Sequence, residues 1–160
     1  MKPDARLRLN SVGKLWTATL ILKLVGEGRL KLDDTASHWL PGLLPYGNQI
    51  TVAQLLSMTS GMLDTNDFSY ATGGPAAPVI GDNSSYGLGV VIQPDGCATP
   101  GVAYGHNGGG DGDMSSVQVS PNGSRVAVVL VNGYATSSAA QDRGGTKLSD
   151  TMQRLYCTAP

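Results

Sequence analysis

The order of hydrophobic patterns along the chain predicts an α+β fold, an antiparallel β-sheet packed with helices. Helix-type spacing is confined to residues 11–58 and to the C-terminal segment, whereas strand-type runs follow one another from 86 to 132 with no helix between them. Composition agrees: 22 glycines in 160 residues is roughly twice the usual share and points to many turns and close backbone contacts. The length suits one substantial core, so residues 1–160 are expected to form a single domain.

Residues 11–26 are nearly solid apolar apart from Lys14, Thr17, Thr19 and Lys23, which predicts a helix buried on most sides and stopped by Gly26 and Gly28. Asp33 and Asp34 supply an acidic start, read as capping, for a short helix over 35–40 that Pro41-Gly42 ends. Thr51 and Gln54 stand at capping-box spacing ahead of Leu55-Leu56, so a second short helix should run to about Met58, closed by Thr59-Ser60-Gly61. The polar stretch 63–85, rich in Gly, Pro, Asp and Asn, reads as loop. A strand is expected over 86–93, with Gly87 and Gly89 marking close approach of another backbone or a ligand. Another is expected over 102–107, running into a loop over 108–113. Residues 115–120 and 125–132 form the clearest pair, joined by Pro121-Asn122-Gly123 as a hairpin turn. Gly144-Gly145 should interrupt any helix, which leaves a C-terminal helix over 146–156 with Leu148, Met152, Leu155 and Tyr156 on its inner face.

Eleven basic against 12 acidic residues, without a basic cluster, gives no electrostatic footprint for nucleic acid or an anionic membrane. The most apolar run, 20–25, is broken by Lys23 and is far too short for a membrane span. Residues 1–6 are charged and lack an apolar run, so no signal peptide is expected in this chain. Cys97 and Cys157 are too far apart for a CxxC motif. Two readings stay open: buried free thiols, or a disulfide tying the C-terminal helix to the sheet, which would imply an oxidising compartment.

Ser11 and Lys14 place a hydroxyl and an amine at i and i+3, on one face at the head of the first helix. Helix N–H groups favour negative charge there, and a lysine that loses hydration becomes a base, so the pair has the form of a nucleophile beside its activator. Three stretches repeat a familiar order and spacing: Leu9-Asn10-Ser11-Val12-Gly13-Lys14, residues 24–34, and Leu55-Leu56-Ser57-Met58-Thr59-Ser60-Gly61-Met62. With Tyr86-Gly87-Leu88-Gly89 and Gly105-His106-Asn107-Gly108-Gly109, the chain resembles the serine β-lactamase-like family, in the branch of class C β-lactamases and D-alanyl-D-alanine carboxypeptidases.

The resemblance implies a β-lactamase/transpeptidase-like fold in which Ser11 attacks a carbonyl and Lys14 accepts its proton. The backbone N–H groups of Ser11 and Gly109 would form the oxyanion hole, and His106 would line the opposite wall. Asn107 and Gly108, in the His-x-Gly motif, are expected to bind substrate. Phe68-Ser69-Tyr70-Ala71-Thr72 aligns with the family's Tyr-x-Asn motif, which makes Tyr70 the assisting phenol and puts Thr72 where an amide is usual, with fewer hydrogen bonds to offer.

Measured against the family pattern, the N-terminal strands and most of a helical insertion are missing. That should leave a sheet edge open for homodimerisation and leave Ser11 and Lys14 more exposed. No cofactor is implied, and no metal, since His38 is the only other histidine and lies in a different context. The Gly108–Asp113 run fits neither an EF-hand nor a repeated calcium loop, lacks the Gly-Lys-Ser/Thr of a phosphate cradle, and no Gly-x-Ser-x-Gly elbow occurs. The expected function is a serine hydrolase acting through an acyl-enzyme on a β-lactam, a D-Ala-D-Ala peptide or a small ester. The alternative is a catalytically inactive truncated homologue that binds a ligand or forms a subunit. Kinship places the protein in the secreted or periplasmic space.

Overall fold

The computed structural model describes residues 6–62, 85–99, 101–110, 112–132 and 138–158, the last segment with side chains from 147 onward. The chain divides into two compact units, one formed by Met1–Thr17 with Val90–Pro160, the other by Ala18–Gly89.

The first unit is built on four strands: β2 (Val91–Pro94), β3 (Val102–Gly110), β4 (Asp113–Val119) and β5 (Val126–Asn132). Each pairs antiparallel with the next, in the order of the sequence. The loop expected over 108–113 is instead mostly strand: β3 continues to Gly110, paired with Asp113 across a two-residue connection. The glycine run looks like a loop in sequence, yet glycines also permit a ladder into which another backbone must fit closely. The Ser120–Arg125 turn is held by side chains, with Asn122 Oδ1 accepting from the Ser120 hydroxyl at 2.8 Å and the Ser124 N–H at 3.1 Å, and Gly123 at φ 70°.

Helix α4 (Ser138–Thr158) covers one face of this sheet. Leu148, Met152 and Tyr156 recur at i, i+4 and i+8 and are buried, the last two against Ala103 and Ala127. Leu155, expected on the inner face, is exposed, because the heptad-like stripe rotates it away. The helix also runs through Gly144-Gly145, where an interruption was expected. A helical glycine costs only about 1 kcal/mol relative to alanine, which neighbouring turns and packing offset. Cys97 and Cys157 form a disulfide that ties the segment after β2 to the last turn of α4. Buried Asp95 shapes that segment: its carboxylate accepts from the N–H groups of Cys97 and Gly101, each at 3.1 Å.

Helix α1 (Gly13–Gly26), preceded by a 3₁₀ turn over Asn10–Val12, begins in the first unit and continues into the second. There Ala18, Leu30, Val52 and Leu56 form the core, flanked by Ile21, Leu22, Val25, Leu32 and Leu88. Ala18, Ile21, Leu22 and Val25 make a stripe that Leu24 widens, whereas Trp16 and Leu20 lie off it, 65% and 62% exposed. The expectation of a helix buried on most sides is therefore corrected to one buried along one stripe.

Helices α2 (Ala36–Trp39) and α3 (Val52–Leu56) are short. The capping box of α3 forms as the spacing predicts, with the Gln54 N–H donating to Thr51 Oγ1 at 3.2 Å and the Thr51 N–H to Gln54 Oε1 at 2.9 Å. Asp34 does not cap α2; its carboxylate accepts from the Lys31 N–H at 2.9 Å and the Trp39 indole at 3.1 Å, and the first bond above all holds its pKa below the usual range. The strand expected over 86–93 breaks after β1 (Ser85–Tyr86), where Gly89 turns left-handed at φ 78° and donates to Leu56 O. No helix among the described residues is long and apolar enough to cross a membrane.

Candidate active site

The site forms within the first unit, where the 3₁₀ turn meets β3 and β4. Buried Val12 anchors the turn, its N–H donating to Leu9 O at 3.1 Å, and the Gly13 N–H closes onto Asn10 O and Ser11 O. One turn separates Ser11 from Lys14, so the two side chains rise on one side and the Lys14 Nζ donates to Ser11 Oγ at 2.8 Å. Ser11 is half-buried and Lys14 exposed.

The opposite wall is β3. A Cβ added at Gly108 would lie 2.6 Å from Leu9 O, 2.9 Å from Ser11 N and 2.4 Å from Ser115 Oγ, so the turn is seated directly on the bare face of this glycine. Residues two apart in a strand share a face, which sends the His106 side chain out on the side of the turn. The Lys14 charge acts on the imidazole there.

Burial, assisted by that charge and opposed by the hydrogen bond to Asn107, pushes His106 below its ordinary 6.5. His106 Nδ1 lies 2.5 Å from Asn107 O. A carbonyl oxygen only accepts, so Nδ1 carries the proton in this contact.

Of the residues assigned from sequence, the structure thus gathers Ser11, Lys14, His106 and Gly108. Gly109 follows on the strand with open space where a side chain would stand. Asn107 alternates to the other face, where its Oδ1 accepts from the buried Ser116 hydroxyl at 2.6 Å, so only its carbonyl serves the His106 side. Tyr70 and Thr72 lie outside the described residues. Among the described residues no cluster of three His, Cys, Asp or Glu side chains forms a metal-holding group.

Three residues escaped the sequence reading. Asn10 adopts a left-handed φ of 48° and donates from Nδ2 to Asp113 Oδ1 at 2.9 Å, while the fully buried Ser115 donates to Leu9 O at 2.6 Å. An Asn beside the nucleophile, a residue type that tolerates φ > 0, was the available signal. Its partner 103 residues away had none.

The Beta-lactamase family model matches residues 1–77. "Penicillin-binding protein 4" of Amycolatopsis lactamdurans is 38% identical over 74 residues, 44% of this chain and 19% of that protein. "Esterase EstB" of Burkholderia gladioli is 39% identical over 67 residues, 39% of this chain and 17% of that protein. "Protein flp" of Staphylococcus aureus is 41% identical over 64 residues, 38% of this chain and 13% of that protein. The matched stretch therefore spans less than a fifth of each of these relatives. Among solved structures, a D-stereospecific amidohydrolase from a Streptomyces species superposes with a TM-score of 0.65 over 89% of this chain and 87% of its own, at 18% identity, a likeness of fold.

Proposed function

We propose that the chain is a serine hydrolase of the β-lactamase-like kind, working through an acyl-enzyme on a β-lactam, a D-Ala-D-Ala peptide or a small ester; the family-model match over residues 1–77 and the similarity to a penicillin-binding protein and an esterase support this reading. The observation that carries this reading is the 2.8 Å contact between the Ser11 hydroxyl and the Lys14 amine. In the reaction Lys14 accepts the hydroxyl proton as Ser11 Oγ bonds to the substrate carbonyl carbon. Negative charge passes to the carbonyl oxygen, which the N–H groups of Ser11 and Gly109 stabilise. Collapse of that intermediate expels the leaving group with a proton, and water then releases the acid and restores the hydroxyl.

His106 borders the substrate on the β3 side, with Gly108 letting the nucleophile-bearing turn approach the strand. Tyr70 assists proton transfer and Thr72 contacts substrate, whereas Asn107, expected to bind substrate, instead holds His106 through its carbonyl. The Cys97–Cys157 disulfide supports secretion or a periplasmic location, since such bonds persist where thiols are oxidised. The edge of β5, where Val126 and Val128 are exposed, is the proposed contact of a homodimer.

A second reading, an inactive ligand-binding or subunit-forming homologue, draws on the exposure of Lys14: water competes for an amine that a base must present desolvated. Covalent labelling by a fluorescent penicillin and by an activated aryl ester separates the two. The hydrolase reading expects labelling lost in Ser11→Ala and weakened in Lys14→Ala; equal labelling of the native chain and Ser11→Ala overturns it.

A further inference from the structure

We propose that Asn10, Asp113 and Ser115 form a positioning clamp that sets the nucleophile-bearing turn against β3, and that Asp113 acts on the reaction only through Asn10. The inference rests on Ser11 being the nucleophile. Ser11 stands at the end of a covalent segment whose direction is decided by the residue before it, and that residue is in a conformation that most side chains avoid. Asn10 keeps φ at 48° with its amide bonded to the Asp113 carboxylate at 2.9 Å, a charge-assisted bond that compensates the local strain.

One residue earlier, the Ser115 hydroxyl takes hold of Leu9 O at 2.6 Å. Both bonds hold the two residues that lead into Ser11, and both come from the same hairpin, one at its tip and one two residues into β4. Two glycines make room for them. A Cβ at Gly110 would stand 2.7 Å from Asn10 Oδ1 and 2.8 Å from Asp113 Oδ1, and one at Gly108 would strike Ser115 Oγ and Leu9 O. Neither Asp113 nor Ser115 is placed to exchange protons with substrate, because each is engaged with the turn; both are positioning residues. Without the Asn10–Asp113 bond, Ser11 keeps its chemistry and loses its fixed aim, which costs the acylation step and leaves ground-state binding nearly intact.

The test uses the full chain with a nitrophenyl ester, reading kcat and KM separately, and hydrogen exchange of the amides of residues 9–13. Asp113→Ala and Asn10→Gly are each expected to lower kcat by about ten- to a hundredfold with KM changed less than about threefold. Glycine matters here because it accepts a positive φ freely, so Asn10→Gly removes the bond without the strain. Asp113→Asn retains the acceptor oxygen and should recover most of the loss, and exchange in 9–13 should rise in the first two variants and stay near native in the third. Native kcat in Asp113→Ala, a loss confined to KM, or unchanged exchange in 9–13 overturns the clamp. If Ser11→Ala hydrolyses the ester as fast as the native chain, the nucleophile assignment fails instead, and the exchange measurement still decides whether Asp113 holds the turn.

Discussion

Replacing Gly108 by alanine tests the seating of the nucleophile turn most directly. The added methyl would stand 2.6 Å from Leu9 O and 2.9 Å from Ser11 N, and both are backbone atoms with no rotamer to change. Restoring an ordinary contact to Leu9 O means opening that gap from 2.6 to 3.4 Å, a shift of about 0.8 Å. Overpacking on this scale costs about 1–3 kcal/mol, read by urea unfolding, and moves Ser11 by a distance that costs a nucleophile about a hundredfold in rate. Gly109→Ala is the control for the stability arm: a Cβ there meets nothing within 4 Å, so the unfolding midpoint should hardly move. If Gly108→Ala unfolds at the native midpoint and hydrolyses an ester at the native rate, the turn does not rest on β3 as described.

Four further outcomes are expected. With only two histidines, the His106 imidazole can be followed by proton NMR: it should titrate below 6.5 and move upward in Lys14→Met, which removes one of the charges that oppose protonation. The same depression fixes a sign for stability, because as pH falls through the ordinary histidine range the unfolded chain takes up a proton that the folded one resists; urea midpoints should drop there, and less so in His106→Gln. Reducing the Cys97–Cys157 disulfide opens a 60-residue loop, and chain entropy puts the loss near 4 kcal/mol, measured as unfolding with and without reductant; a loss under about 1 kcal/mol would count against the loop-entropy account. Tyr156→Phe removes a buried hydroxyl that has no hydrogen-bond partner among the described residues while keeping the ring beneath the Arg125 guanidinium, so thermal unfolding should be unchanged or shifted upward.

Local chemistry was legible in the sequence and distant chemistry was not. The Ser11–Lys14 contact needs only three residues of helical rise, and the Thr51–Gln54 box likewise; both appear as the spacing predicts. The β4–β5 hairpin was readable for the same reason, its turn residues lying inside the element they connect. What failed depended on atoms far away in sequence. A glycine run reads as loop until the chain that needs its bare surface is known, and that chain begins at Leu9, a hundred residues upstream. The exposure of Trp16 and Leu20 was equally hidden, since apolar residues on an all-apolar helix do not reveal which of them meet a partner.

The nucleophile and amine are held together by one short segment, so their 2.8 Å contact would survive many changes elsewhere. The wall they act against, with His106 and the glycines, is aligned to them by the seating of the turn on Gly108 and by side-chain bonds that span 103 and 106 residues. Activity should therefore be most sensitive at the joints between segments, and substitutions at Asn10, Gly108, Asp113 and Ser115 should reduce turnover while the Ser11–Lys14 pair itself stays assembled.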